Sequence, residues 1–223
     1  MGLTMGMDSV ARLIAGHLLD IGAVFLRPEE PFVWTSGIRS PIYCDNRLII
    51  SYPRVREAVA DAMVEEIRRR WPEVQGVAGT ATAGIPHAAW VADRLRLPMV
   101  YVRDKAKGHG TASRVEGRLP AGSKTVVVED LISTGGSALG TVSALREVGY
   151  APVGVAAVVT YEFTEAKDAF ARAGVPWFAL TDYSTLIEVA TERGLVTEDQ
   201  RRILEEFRSD PHHWPPARPP QFS

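Results

Sequence analysis

The sequence predicts an α/β fold in which helices flank a mainly parallel sheet, ligands gather at the carboxyl ends of the strands, and a small hood sits at the N-terminal side. Two observations carry this expectation. After roughly the first seventy residues, short β-branched runs alternate with helix-period segments, the order that builds parallel strands joined by crossover helices. One stretch, Lys124 to Ser137 (KTVVVEDLISTGGS), then places a strand, an acidic pair, a glycine and hydroxyl loop and a helix start directly in line. A chain of 223 residues, 46% of them hydrophobic, can bury a substantial core as a single domain: a hood over about residues 1–50, a core over about 51–207 and a proline-rich tail over 208–223.

Composition narrows the classes further. A net charge of −2 gives no global electrostatic case for nucleic acid or an anionic membrane. No apolar run is long enough to span a bilayer, and Met1 to Met7 lacks the basic start and apolar core of a signal peptide, so a cytoplasmic protein is expected. Cys44 is the only cysteine, which excludes an intrachain disulfide framework and a cysteine-rich metal site. No histidine or other base accompanies it in sequence, so it reads as a small structural residue and not as a nucleophile.

In chain order, Val10, Leu13, Ile14, Leu18 and Ile21 recur at helical spacing behind Asp8 or Ser9 as a cap, with His17 near the apolar face. Phe32 to Arg47 is aromatic, turn-punctuated and aperiodic, the material of a small hood or of an irregular edge. Ser51-Tyr52-Pro53 starts a long helix with Val55, Val59, Met63 and Ile67 on one face, and Pro72 stops it. Val74 to Gly79 reads as the first core strand, leading through Thr80, Ala81, Thr82, Ala83 and Gly84 into a helix carrying Ala88, Val91 and Leu95. A strand ending in small residues before a helix is a candidate anion site. His87, at that helix start, is given no catalytic role.

Pro98 to Arg103 is the next strand. From Asp104 to Gly122 the nineteen residues offer almost no apolar face, a length typical of a lid or binding loop. Lys105, Lys107 and His109 alternate there, so in extended backbone they project to one side and can neutralise a pyrophosphate; a solvated charged loop is the other reading. Past the central motif, Val153 to Thr160 reads as a buried strand, Thr164 to Ala173 as a helix and Trp177 to Leu180 as a last short strand. An amphipathic helix through Ile203, Leu204 and Phe207 precedes a mobile tail, where His212 and His213 lack the spaced acids or cysteines of a metal site.

The central motif has a physical use for a ribose 5-phosphate. Thr125 to Val128 has the composition of a strand buried on both faces, after which Glu129 and Asp130 suit the vicinal hydroxyls of a sugar and the positive charge that develops at its anomeric carbon. Ser133, Thr134, Gly135, Gly136 and Ser137 then form a phosphate cradle of backbone amides at a helix start. Acids ending a strand and a Gly-Gly turn are also ordinary loop chemistry. Neither GxxxxGK[ST] nor GxGxxG is present, so this is not a nucleoside triphosphatase or dinucleotide signature.

At these residues the chain resembles a known family. Glu129-Asp130-Leu131-Ile132-Ser133-Thr134-Gly135-Gly136-Ser137 is similar to the phosphoribosyl pyrophosphate (PRPP) motif of type I phosphoribosyltransferases. FxWxSGxxSPIYCDNR, from Phe32 to Arg47, resembles the hood of orotate phosphoribosyltransferases, and RxKAKxHG, from Arg103 to Gly110, resembles their catalytic loop. The resemblance spans about residues 10–205 and implies the type I phosphoribosyltransferase fold, with orotate and PRPP converted to orotidine 5'-monophosphate and pyrophosphate in pyrimidine synthesis.

By that resemblance, Arg103, Lys107 and His109 bind PRPP together with Glu129, Asp130, Leu131, Ile132, Ser133, Thr134, Gly135, Gly136 and Ser137. Lys107, His109, Glu129 and Asp130 carry the catalytic work, and Tyr43, Cys44 and Ser133 lie against orotate. Gly79 to Pro86 is the pyrophosphate loop. Mg2+ is the implied cofactor, held mainly by substrate and water, and a homodimer with a shared lid is the implied assembly. The chain departs from the pattern at Thr35, Ala83 and Asp104, where relatives carry lysine, and at Glu162-Phe163, where some present an arginine to the orotate carboxylate. A purine phosphoribosyltransferase would share the acidic motif but not the hood and loop together. A PRPP-sensing regulator would need a nucleic-acid surface, which neither net charge nor an added domain supplies.

Overall fold

The computed structural model describes residues 6–34, 37–104 and 114–214. Helix α1 (Met7–Asp20) is followed by four short strands, β1 (Val24–Leu26), β2 (Phe32–Val33), β3 (Arg39–Ser40) and β4 (Ile42–Cys44), which pair as two antiparallel ribbons, β1 with β4 and β2 with β3. A 3-10 turn (Asn46–Ser51) leads into α2 (Pro53–Arg70), which has its proline in the first turn as expected and ends at Trp71, before Pro72. The N-terminus of α1 differs from the expected cap. Gly6 occupies that position with no side-chain bond, and Asp8 lies inside the first turn, where its charge favours the positive end of the helix dipole.

The core is a six-stranded sheet built from β5 (Gly76–Thr80), β6 (Met99–Val102), β7 (Val115–Glu116), β8 (Lys124–Ile132), β9 (Ala151–Thr160) and β10 (Trp177–Asp182). Its spatial order is β10-β9-β8-β5-β6-β7, parallel throughout except for β7 at one edge. The β5, β8 and β9 runs of Val, Ala and Gly are buried on both faces, as a parallel sheet covered by helices requires. Helices α1, α2, α3 (Gly84–Leu95), α4 (Gly136–Glu147) and α6 (Tyr183–Glu192) pack on the sheet, with α5 (Thr164–Ala173) against α4 and α7 (Glu198–Ser209) against α6.

Four expectations are corrected. Strand β8 does not stop at Val128; its pairing with β9 continues through Leu131↔Val159 and Ile132↔Thr160, so the acidic pair lies inside the strand. The Asp104 to Gly122 stretch is not wholly loop, because Val115 and Glu116 add to the sheet against Tyr101 and Val102. Helix α6, unassigned from sequence, follows β10 directly, its start capped by Asp182 accepting the Thr185 N–H at 2.8 Å. The residues after α7 are not a free tail as far as Trp214, which is buried edge-on to Phe207 at 5.6 Å between ring centroids.

Two glycines set how closely helix and sheet approach at the site. A Cβ on Gly84 would lie 2.5 Å from the Val128 carbonyl oxygen, and one on Gly79 would lie 3.0 Å from the Ala88 Cβ. These contacts seat the start of α3 against the ends of β5 and β8.

Candidate active site

Glu129 and Asp130 stand near the carboxyl end of β8, the edge at which parallel α/β sheets bind ligands. Glu129 is buried; its Oε1 accepts the Asp130 N–H at 3.1 Å, and its Oε2 has no partner. Burial, and then the charge of Asp130, push the Glu129 carboxyl well above the usual range. Burial raises Asp130 as well, opposed in part by bonds to Glu129 and to backbone and by the charge of Arg47. The result is a desolvated acidic pair with an unused acceptor. Asn46, which sequence reasoning did not single out, is 1% exposed and donates from Nδ2 to the Asp130 carbonyl at 2.9 Å, tying the end of the hood to β8.

Past Ile132 the chain turns through Ser133 and Thr134 into α4. Gly135 holds φ at +84°, a conformation that favours glycine, and a Cβ there would also meet the Phe170 ring at 2.9 Å. The first backbone bond of the helix runs from Leu139 N–H to the Gly135 carbonyl at 3.0 Å, so the N–H groups of the first turn have no intrahelical acceptor and present the positive end of the dipole. Ser137 lies in that turn.

Between hood and sheet lies a cleft of about 590 Å³, lined by Phe32, Val33, Trp34, Tyr43, Cys44, Leu131, Ser133 and Tyr161. It brings together the three residues expected to meet a base, Tyr43, Cys44 and Ser133. Sequence reasoning missed Tyr161, which stacks on Trp34 at 5.1 Å with 14° between the ring planes. Burial pushes the Cys44 thiol up to about 12, so it is a neutral wall of the cleft, in line with the structural role expected for it. Phe163 does not line the cleft; it is buried behind it, 5.7 Å from Tyr161 and 6.2 Å from Trp34.

A second cleft, of about 430 Å³, opens at the end of the neighbouring strand β5 and is lined by Ala81, Thr82, Ile85, Tyr101, Arg103 and Asp104. Arg103 therefore lies apart from the base cleft, its Nη1 on the Glu116 carboxylate at 3.3 Å and its carbonyl accepting Arg114 Nε at 2.8 Å. Ala83, at the N-terminus of α3, offers only backbone to an anion there. His87 is buried, and burial lowers it to about 4, so its ring is neutral near pH 7. Thr35, Lys105, Lys107 and His109 lie outside the described residues. His212 and His213 bond Glu165 and Asp210, and among the described residues no three histidine, cysteine or acidic side chains cluster around a possible metal position. No helix of the described residues is long and apolar enough to cross a membrane.

Residues 51–177 match the model of the phosphoribosyl transferase domain. Over 198 residues, 89% of this chain and 94% of the relative, the sequence is 55% identical to the orotate phosphoribosyltransferase of Bacillus cytotoxicus. Among solved structures, the orotate phosphoribosyltransferase of Aeropyrum pernix superposes with a TM-score of 0.73 at 34% identity, over 82% of this chain and 99% of that one. The UMP synthase of Leishmania donovani superposes with a TM-score of 0.80 at 25% identity over 91% of this chain, which spans 43% of that longer protein. With an acidic pair set in a parallel strand, a hydroxyl and glycine loop beside it and an aromatic hood above, the chain belongs to the orotate phosphoribosyltransferase family of phosphoribosyl transferase domains.

Proposed function

We propose that this protein transfers the ribose 5-phosphate group of PRPP to orotate, giving orotidine 5'-monophosphate and pyrophosphate. The observation that carries this reading is the shared wall of the base cleft, where Tyr43, Cys44 and Trp34 of the hood meet Leu131 and Ser133 of the acidic motif. A planar ring held between them sits next to the strand that bears Glu129 and Asp130. The amides at the start of α4 suit the 5-phosphate, and the Ala81 to Ile85 loop with Arg103 suits the pyrophosphate. Ribose hydroxyls are natural donors to the carboxylate of Asp130, the less buried of the pair.

Positioning and electrostatics then do most of the work. As the bond from C1 to pyrophosphate lengthens, positive charge grows on the sugar, and carboxylates in a desolvated site favour that charge more than water does. Carboxyl oxygens are hard donors of the kind Mg2+ prefers, and Asp130, the less buried of the pair at the carboxyl end of β8, fits a Mg2+ held chiefly by the diphosphate and water. Bound there, Mg2+ would disperse charge on the departing pyrophosphate. Lys107 and His109 are assigned to the same task from a loop closing over the site of a second subunit, in a cytoplasmic homodimer. Turnover of a panel of bases with PRPP and Mg2+ tests the assignment. Orotate should far outpace adenine, hypoxanthine, guanine and uracil, and preference for a purine would overturn it.

A further inference from the structure

We propose that the C-terminal helix α7, sealed by Trp214, sets the geometry of the base cleft, so that Phe207 and Trp214 are positioning residues for the pyrimidine although neither touches the cleft. The inference rests on the proposed function for the identity of the ligand. It starts from how the cleft wall is backed. Trp34 and Tyr161 form that wall as a stacked pair, and Trp34 is anchored within the hood by its Nε1 donating to the Ile42 carbonyl at 3.3 Å. Behind the pair lies Phe207, edge-on to Trp34 at 6.0 Å and 5.9 Å from Phe163. Trp214 closes the outer side of Phe207.

The packing is buried as well as contiguous. Phe207 is 0% exposed, Tyr161 and Phe163 2%, and Trp214 6%. In a close-packed interior, a ring removed at the outer end leaves a void that the inner rings relax into, and here the inner end of the chain is the cleft wall. Polar contacts hold α7 to that short segment and to α6. Arg208 pairs with Glu162, which sits between Tyr161 and Phe163, at 3.6 Å, and the Tyr183 hydroxyl donates to the Leu204 carbonyl at 2.8 Å.

All of this lies outside residues 51–177, the span of the phosphoribosyl transferase domain, apart from the Tyr161 to Phe163 segment. The position at which the resemblance expects an arginine for the base is occupied here by Phe163, one of the rings of the buttress. In this chain, then, part of the hold on the base is exercised through packing from the C-terminal helix. Among the described residues nothing comparable joins α7 to the Arg103 cleft, whose lining comes from the ends of β5 and β6 and the start of α3. The expected signature is a split between the two substrates.

The test is steady-state kinetics on the full chain carrying Trp214→Leu, Phe207→Leu or Trp214→Phe, with thermal melts of each variant alone, with orotate and with PRPP. Both leucine variants should raise the KM for orotate about tenfold while the KM for PRPP and kcat stay within about twofold, and Trp214→Phe should raise the orotate KM by a smaller factor, about threefold. The orotate-induced rise in Tm should shrink while the PRPP-induced rise persists. An unchanged orotate KM in a folded variant would overturn the proposal. So would a parallel loss of both KM values and kcat that tracks the fall in Tm, since that is what a purely structural role gives. If the leucine variants do not fold, Trp214→Phe decides the matter: an orotate KM equal to that of the wild type, with a lowered Tm, counts against the proposal. Failure of the wild type to use orotate at all would instead overturn the proposed function.

Discussion

The Tyr161 hydroxyl accepts the backbone N–H of Cys44 at 3.1 Å across 117 residues of sequence, joining the last strand of the hood to the end of β9. Both groups are buried, and both line the base cleft. Burial holds the tyrosine well above its ordinary pKa, so the hydroxyl keeps its proton and remains a neutral partner near pH 7.

Tyr161→Phe keeps the stacked ring but leaves the Cys44 amide without its acceptor. An unpaired buried donor costs about 1–3 kcal/mol, so chemical denaturation should show a loss of that order, and the hood should sit less firmly over the cleft. The KM for orotate should rise with it. Unchanged stability would mean that water or another group replaces the acceptor at no cost.

How far this site was legible in the sequence follows from the distance over which each feature is encoded. Val126 to Val128 announced a buried strand because the signal is local, and the hydroxyl and glycine loop announced the turn into a helix start for the same reason. The acids misled by one step: a carboxylate pair usually ends a strand, but here the partner strand continues to Thr160 and carries β8 with it to Ile132. Helix α6 could have been found, since Leu186, Ile187, Val189 and Ala190 form an apolar face behind an Asp182 cap. Tyr161, Asn46 and Phe207 could not, because each role consists of a contact with a residue remote in sequence: Cys44, Asp130 and Trp34.

The raised carboxyl of Glu129 gives a stability prediction with a definite sign. A carboxyl that titrates higher in the folded chain than in the unfolded chain binds more protons when folded, so its share of stability is present below the ordinary carboxylate range and is lost as pH rises toward its elevated value. Glu66, which titrates low despite burial because Arg69 and Arg70 bond it, acts in the opposite direction. Comparison of wild type with Glu129→Gln isolates the first effect. The variant should be the more stable at pH 7 by a few degrees, ~1 kcal/mol corresponding to about 2–4 °C in a chain of this size, and the difference should vanish near pH 4. It should also be the less active. Equal Tm values across the pH range would show that Glu129 has no elevated pKa.

Gly84→Ala sets two effects against each other. Alanine favours a helix over glycine by ~1 kcal/mol, but the new Cβ would lie 2.5 Å from the Val128 carbonyl oxygen, a backbone atom that cannot swing away. Overpacking of that kind costs about 1–3 kcal/mol, so the clash should win, lowering Tm and displacing the strand just before Glu129. A rise in Tm would show that α3 can slide off β8 freely.

The assembly prediction concerns Lys107, which lies outside the described residues, and Asp130, which lies at the site. If the loop that carries Lys107 closes over the neighbouring subunit, each complete site takes Asp130 from one chain and Lys107 from the other. Lys107→Ala leaves the pocket intact and disables the loop; Asp130→Asn preserves the size of the side chain but removes a charge at the developing cation, and should lower kcat by roughly one to three orders of magnitude. In a hybrid dimer of the two variants, the intact loop meets the intact pocket at one site, while the other site carries both defects. Random exchange makes half of the dimers hybrid, so an equimolar mixture should recover about a quarter of wild-type activity. Native mass measurement supplies the control, since the two variants differ in mass. Hybrid dimers formed without any gain over the summed activities of the parents would place the loop over its own subunit and remove the shared-site arrangement.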